Sequence, residues 1–301
     1  MPRRYPQNAF EEPAPELFDF AATVQAHGWV RLRPFEWHAP AAELRRIHRL
    51  RSGRVVRLRL CEAGKADAPI VRIKVERAGP LLASERAEIR LVVRRMLRLD
   101  EDLSEWFQLS QHMPGWGARL RPGAGRLLRC PTLFEDIVYT LCTTNTTWAG
   151  TIRMVDRLVA TLGEAFPGQD EWRAFPTPEA IATAGLRFLE NVVRLGYRSG
   201  YLWELATAVA EGRRDLQALD DPTLPTKELR RILLSIKGVG SYAAATLLMI
   251  LGRYEELAID TEMRAFVAKQ YFQGQRSSEA QIRTIYAPWG RWQYLAYWFD
   301  A

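Results

Sequence analysis

Leu233-Leu-Ser-Ile-Lys-Gly-Val-Gly-Ser-Tyr-Ala-Ala-Ala-Thr-Leu-Leu-Met-Ile-Leu251, followed by Ala258-Ile-Asp-Thr261, is the stretch on which the reading of this chain turns. Gly238 and Gly240 interrupt two helical patterns and predict a tight turn between two helices. Lacking Cβ atoms, they let backbone N–H groups at the start of the second helix come close to an anion, so Lys237, Gly238, Val239, Gly240 and Ser241 together read as a phosphate seat. The second helix is apolar almost all round and must be buried, which would hold the hairpin rigid. Asp260 arrives twenty residues after Gly240, at the expected N-terminal edge of the next helix, between the apolar Ile259 and the packed run Met263 to Phe272.

Working outward, the chain from Pro131 onward carries helix start and stop signals. Thr132 and Glu135 form a capping box, Thr147 to Leu162 is amphipathic and stops at Gly163, and Thr177-Pro178-Glu179 opens a further helix. Gly200 to Glu211 and Thr226 to Ser235 continue the pattern, predicting an all-α region of seven or more helices. Toward the N-terminus the periodicity changes to two. Arg54 to Cys61 and Ile70 to Val75 alternate apolar and charged residues, Trp29 to Phe35 does so like an edge strand, Trp37 to Leu44 does so less clearly, and the first 35 or so residues otherwise read as an extended arm. A helix capped at Ser84 follows, with Ile89, Val92, Val93, Met96 and Leu97 on one face and Arg86, Arg90, Arg94 and Arg95 opposite. The expected fold class is therefore α+β: a small antiparallel sheet with a helix over residues 1–125, then an all-α domain over residues 126–301, joined near Met113–Gly125.

Composition bounds the function. The chain has 301 residues, 48% hydrophobic and 26% charged, which is globular composition. The longest apolar run, Ala243 to Leu251, is broken by Thr246 and falls short of the roughly 20 residues a membrane span needs. The N-terminus shows no apolar segment with a small-residue cleavage site, so a cytoplasmic location is expected. Three widely spaced cysteines, Cys61, Cys130 and Cys142, suit neither a disulfide framework nor a structural metal site. No metal and no cofactor are expected. The formal charge is +7, divided as +8 over residues 1–128 and −1 over residues 129–301. Such a balance is compatible with a nucleic-acid partner and equally with a solvated basic surface.

The hydrophobic-rich approach to Lys237-Gly-Val-Gly240, the small-residue helix after it and the Ile-Asp-Thr at this spacing resemble the helix-hairpin-helix plus aspartate signature of the base-excision DNA glycosylase superfamily. Pro131 to Thr147 is similar to the helix and asparagine loop of 8-oxoguanine DNA glycosylases, and Leu195-Gly-Tyr-Arg-Ser-Gly-Tyr201 to their Gly-Tyr-Arg segment. Tyr286-Ala-Pro-Trp-Gly-Arg-Trp292 looks like the Pro-Trp-Arg region of 3-methyladenine DNA glycosylase II. The likeness spans residues 131–292, and the N-terminal unit resembles the extra domain those two branches share.

What the resemblance implies is specific. Asp260 takes the catalytic place: cleaving an N-glycosidic bond builds positive charge on the deoxyribose, and a fixed carboxylate stabilises it and helps activate water. An aspartate that only caps a helix would show the same residue at the same place. Bifunctional members carry a lysine two residues after the second glycine; Tyr242 stands there, and a phenol cannot form the Schiff base that leads to strand cleavage. Tyr242 either lines the base pocket or simply packs. Asn145 would fill the gap a flipped base leaves, assisted by Arg198, although an Asx-turn and a surface ion pair are the plain alternatives. Tyr139, Trp148, Tyr201, Trp203 and Tyr242 are the aromatic candidates for stacking on the base, with one or two expected to serve. Gly150 occupies the position where 8-oxoguanine glycosylases place an arginine, and Asp260-Thr261 stands where 3-methyladenine glycosylase II has paired aspartates. No cysteine follows Cys142, so the iron–sulfur loop of the endonuclease III branch is absent.

The expected function is a monofunctional DNA glycosylase acting on a damaged base, an alkylated or oxidised purine, in double-stranded DNA, as a monomer without an obligate protein partner. A uracil or thymine mismatch glycosylase is the alternative Tyr242 suggests. From another class comes a non-catalytic helix-hairpin-helix grip on duplex DNA, which would need the glycines but not Asp260.

Overall fold

The computed structural model describes residues 8–65, 67–77, 79–114 and 120–300. The chain forms two compact units, each assembled from two stretches: Met1–Asp100 with Pro122–Asp215, and Glu101–Arg121 with Leu216–Ala301. Compactness thus divides the chain elsewhere than at residue 125. Helices that follow the expected seam pack with the sheet, while a segment that precedes it packs with the C-terminal helices. Residues 115–119 of that seam, and residues 1–7 of the expected arm, lie outside the described residues.

The first unit holds strands β1 (Ala9–Pro13), β2 (Phe35–His38), β3 (Glu43–Arg49), β4 (Val55–Lys65) and β5 (Ala68–Glu76), antiparallel throughout in the order β1-β5-β4-β3-β2. Alternation works as the sequence implies on β4 and β5. Val56, Leu58 and Leu60 face inward with Val71, Ile73 and Val75, all at most 3% exposed. Their outward neighbours form a charge ladder in which Arg45 and Arg59 both donate to Glu43, and Arg57 and Arg59 to Glu76. Burial alone would raise the Glu43 carboxyl, but the bonds from Arg59 and Arg45 more than offset it and hold Glu43 below the usual range.

Four local expectations are corrected. Trp29 to Phe35 is not a strand: Gly28–Arg31 is a 3-10 turn that buries both Trp29 and Val30, residues that alternation would send to opposite faces, and only Phe35 joins β2. The indole Nε1 of Trp29 donates to the buried Asp136 Oδ1 at 3.1 Å, which fixes the turn. Trp37 to Leu44 spans the corner between β2 and β3, with Ala42 left-handed at φ 44°. The arm is structured, since β1 is followed by helix α1 (Phe20–Gln25), whose first turn is capped by Asp19 accepting from Ala22 N at 2.8 Å. Helix α2 (Ala83–Leu97) begins one residue before Ser84, and Glu85, accepting from the backbone N–H of Leu82 at 3.1 Å, closes its first turn instead.

The arginines of α2 are used internally. Arg90 donates to Glu12 Oε2, Arg94 to Glu12 Oε1 and to Asp100, and Arg86 lies 5.3 Å from the Phe10 ring centroid, so this face staples β1 onto the helix. Helices α3 (Ser104–His112), α4 (Leu133–Thr143) and α5 (Trp148–Leu162) come next. Thr132 caps α4 by accepting from Glu135 N at 3.3 Å, but the capping box is only half formed because the Glu135 side chain is drawn away to Arg46 of β3. Arg46 sits on the inner face of the sheet, 2% exposed, with Nη2 2.8 and 2.6 Å from the two Glu135 oxygens and its guanidinium 4.4 Å from the Phe35 ring centroid. A short hairpin, β6 (Ala165–Phe166) and β7 (Gln169–Arg173), interrupts the helical region expected to be all α. It packs Phe166 and Trp172 onto Ile47 and Val55 of the sheet, with Arg57 4.0 Å from the Trp172 ring centroid. Helices α6 (Pro178–Ala184) and α7 (Leu186–Phe188), a π turn over Leu189–Val193 and α8 (Arg198–Ala210) complete the unit.

The second unit comprises α3, α9 (Thr226–Leu234), α10 (Ser241–Ile250), α11 (Thr261–Tyr271), α12 (Glu279–Tyr286), a 3-10 turn at Ala287–Trp292 and α13 (Gln293–Asp300). Its centre is Trp106 of α3, fully buried, with ring centroids of Trp289, Phe299 and Trp292 at 5.1, 5.9 and 6.2 Å. The aromatic cluster is what draws α3 away from its sequence neighbours.

Removing one partner of the buried pair leaves the other charge stranded. Glu135→Ala is expected to cost about 3–5 kcal/mol in chemical denaturation, whereas replacing Arg46 and Glu135 together by apolar residues of similar volume costs much less. Two buried histidines make stability depend on pH. Burial lowers His27 to about 4, with Arg98 adding to it against the opposing bond with the Leu128 carbonyl, and burial together with Arg46 lowers His48 to about 3. Between the ordinary histidine value near 6.5 and these values the unfolded chain binds more protons than the folded one, so stability falls as pH falls. Each histidine contributes a slope of up to about 1.4 kcal/mol per pH unit. Unfolding midpoints followed from pH 7.5 to 4 should drop less steeply in His48→Leu than in the parent.

Candidate active site

The hairpin forms as its spacing implies. Helix α9 ends at Leu234, Val239 N donates to the Ile236 carbonyl at 3.0 Å, and α10 begins at Ser241 with Gly240 as its N-cap. The two glycines serve different needs. Gly238 has φ +87°, a left-handed conformation that a residue with Cβ adopts only under strain. Gly240 has φ −86° and ψ −174°, an ordinary extended conformation, and a Cβ placed on it would meet nothing within 4 Å. Neither backbone strain nor crowding inside the chain therefore requires glycine at 240. Ile236 and Val239 are buried and anchor the turn, while Lys237, Gly240, Ser241 and Tyr242 are exposed around the first N–H groups of α10. Beyond them α10 is buried from Ala243 to Ile250.

Asp260 is the N-cap of α11. Its Oδ1 accepts from Met263 N at 2.8 Å, and its Oδ2 has no hydrogen bond among the described residues. The capping role and an available carboxylate oxygen coexist in one half-buried side chain. Around it stand three phenols. Tyr242 is 38% exposed, and burial and the charge of Asp260 raise its hydroxyl, against an opposing interaction with Thr246. Burial, then the nearby Tyr242 and Asp260, push Tyr294 well above the usual range, and burial with Asp260 and Glu262 raises Tyr297. Tyr294 and Tyr297 stack with centroids 6.2 Å apart at an interplanar angle of 20°. All three phenols are thus held neutral beside one carboxylate.

Thr246 stands one helical turn after Tyr242 and is 7% exposed. Thr140, Thr161 and Thr284 fold their hydroxyls back onto the carbonyl four residues earlier, but Thr246 does not: it faces Tyr242 and Tyr294, and Oγ1 has no hydrogen bond of regular geometry. Tyr294, Tyr297 and Thr246 went unrecognised in the sequence. A buried threonine in an otherwise apolar helix was the one available signal.

The remaining expected residues lie in the first unit. Asn145 is exposed and left-handed at φ 45°. Arg198 is next to it, 7% exposed, with its guanidinium on backbone carbonyls rather than in a surface ion pair. Trp148 opens α5 and lays its ring on Gly28, where a Cβ would come within 2.5 Å of the indole, and Arg31 stands 6.0 Å from its centroid. Tyr139 is core: its hydroxyl lies 2.7 Å from the Arg33 carbonyl and 3.1 Å from Glu135 Oε1, and its ring meets Trp29 and Phe175 edge-on. Tyr201 meets Tyr197 edge-on at 5.8 Å, and Trp203 is half-buried. Burial raises the thiol of Cys142 to about 12 and that of Cys130 well above its usual range, so neither is a thiolate. Among the described residues no group of three His, Cys, Asp or Glu side chains is placed to hold a metal ion, and no helix is long and apolar enough to cross a membrane.

The fold has known counterparts. A 3-methyladenine DNA glycosylase from Archaeoglobus fulgidus superposes with a TM-score of 0.76 over 97% of each chain at 20% sequence identity. A Clostridium acetobutylicum 8-oxoguanine glycosylase/lyase superposes in its apo form with a TM-score of 0.71, covering 97% of this chain and 95% of that one at 15% identity. The same enzyme in complex with double-stranded DNA containing cytosine opposite 8-oxoguanine gives 0.69 over 97% and 96% at 17% identity. No family model and no curated protein matches the chain by sequence. The chain has the α+β fold these glycosylases share.

Removing a buried hydroxyl that lacks a regular partner relieves a desolvation cost. Thr246→Val should leave the thermal midpoint unchanged or raise it by the equivalent of about 1 kcal/mol, where an ordinary back-bonded threonine would lose stability.

Proposed function

We propose that this chain is a DNA glycosylase of the helix-hairpin-helix superfamily, removing a damaged purine from double-stranded DNA and leaving an abasic site. The observation that carries the reading is Asp260: a carboxylate with one oxygen fixed by Met263 N and the other unengaged, twenty residues beyond the hairpin. The fold shared with the glycosylases supports it. A grip on duplex DNA alone has no use for that carboxylate.

Each part has a task under this reading. The exposed N–H groups at Gly240–Ser241 and the ammonium of Lys237 hold a phosphate, and the unobstructed face of Gly240 lets the DNA backbone approach closely. Flipping brings the base out of the stack, with Asn145 entering the vacated place. As the N-glycosidic bond lengthens, positive charge grows on the sugar, and the Asp260 carboxylate stabilises it and orients the attacking water. Neutral phenols supply stacking faces without a competing negative charge. Tyr242 offers no amine, so strand cleavage by a Schiff base does not follow base removal. Gly150 stands where the 8-oxoguanine branch has an arginine, which argues against strict reading of cytosine.

Single-turnover incubation with duplexes holding one alkylated purine, hypoxanthine, 8-oxoguanine opposite cytosine, or uracil or thymine opposite guanine should give strand breaks only after alkali. Asn caps helices as well as Asp does, so Asp260→Asn should keep its fold while losing at least about 100-fold in rate. Release of uracil or thymine alone would move the reading to a mismatch glycosylase. Breaks without alkali would overturn the monofunctional assignment, and full activity in Asp260→Asn would overturn the catalytic one.

A further inference from the structure

Asn145 is held by a clamp whose parts come from a segment about 50 residues further along. Arg198, the first residue of α8, donates from Nε to the Leu141 carbonyl at 3.0 Å and from Nη2 to the carbonyls of Thr144 and, at 3.4 Å, Asn145. Its guanidinium also lies 4.4 Å from the Tyr197 ring centroid, and the Tyr197 hydroxyl reaches Thr144 Oγ1 at 3.3 Å and the Thr144 carbonyl at 3.4 Å. Thr151 Oγ1 donates to the Cys142 carbonyl at 2.9 Å. The C-terminal carbonyls of α4 are in this way taken up by side chains, and the loop leaves the helix on a defined path. At its tip Asn145 is exposed, and its side-chain amide has no hydrogen bond among the described residues.

The clamp is itself held. Arg157 of α5 donates from Nε to the Val193 carbonyl at 2.6 Å and from Nη2 to the Arg194 carbonyl at 3.2 Å, where the chain leaves the π turn with Arg194 left-handed at φ 59°. Three residues later comes Tyr197, then Arg198. Two arginines thus act in series: Arg157 sets the path of the segment that carries Arg198, and Arg198 sets the path of the loop that carries Asn145.

We propose that Arg198 is a positioning residue for Asn145, with Tyr197 and Arg157 completing its support, and that its cation is spent on the loop backbone rather than on DNA. The inference rests on the reading that Asn145 enters the gap left by a flipped base. Pre-ordering the loop removes the entropy that binding would otherwise spend on fixing it.

The test measures binding to a duplex with a tetrahydrofuran abasic analogue and to the intact duplex across a salt series. The proteins are the parent, Asn145→Gly, Arg198→Gln, Arg157→Gln and the two doubles with Asn145→Gly. A positioning role predicts that Arg198→Gln lowers the preference for the abasic duplex about tenfold. It further predicts an unchanged salt slope, unchanged intact-duplex affinity and no added loss in the Asn145→Gly background. Arg157→Gln should follow the same pattern more weakly, and it carries the test should Arg198→Gln fail to fold. A salt slope reduced by about one, or a loss that adds to that of Asn145→Gly, would make Arg198 a direct DNA contact and overturn the proposal. A parent protein with no preference for the abasic duplex would overturn the gap-filling role of Asn145, and this inference with it, whether or not the protein excises a base.

Discussion

The first unit depends on the buried ion pair between Arg46 and Glu135. A guanidinium on the inner face of a sheet is tolerable only with a carboxylate against it, and the partner it has is the side chain that would otherwise close the capping box of α4. The pair fixes the rotation of α4 against β3, and Asp136 beside it accepts from Trp29 Nε1 and Cys130 N. That rotation has a consequence at the far end. Helix α4 runs directly into Thr144–Asn145, so the sheet sets the direction from which Arg198 then fixes the loop. The N-terminal strands are in this sense the foundation of the Asn145 loop rather than an accessory to it.

The same unit also uses many of its basic side chains internally. Arg45, Arg57, Arg59, Arg72, Arg90 and Arg94 pair with Glu11, Glu12, Glu43 and Glu76 on and beside the sheet. Beyond about 10 Å, the screening length at ordinary ionic strength, these six arginines and four glutamates act only as their difference, two positive charges. A field that draws DNA from afar is therefore poorly served by these arginines, and under the proposed function affinity rests on short-range phosphate contacts at the hairpin.

What could be read from the sequence was what is decided locally. The glycine pair, the apolar α10 and the cap position of Asp260 follow from residues within a few positions of one another, as do Thr147 and Gly163 bounding α5. Features decided by distant partners could not be read this way. Glu135 looks like a capping residue until Arg46, 89 positions earlier, claims it, and Ser84 looks like a cap until Glu85 accepts from Leu82 N. Trp29 to Phe35 alternates convincingly, but Asp136 fixes the indole of Trp29 and the chain turns instead. The same limit hid the surroundings of Asp260. Tyr294 and Tyr297 belong to the last helix, and nothing in their own sequence context distinguishes them from the core aromatics beside them.

Asp260 itself shows why the plain and the catalytic readings of a residue need not compete. A carboxylate has two oxygens; the helix end takes one, and the N–H of Met263 fixes the orientation of the other. The N-terminus of α11 lies under the carboxylate, and the charge of Asp260 helps to raise the three phenols around it. The cap is therefore the device that holds the group in place before any substrate arrives, which is what electrostatic stabilisation of a developing cation requires. An aspartate on a mobile loop would have to reorganise as the sugar became charged, and an aspartate buried on both oxygens would have nothing to offer it.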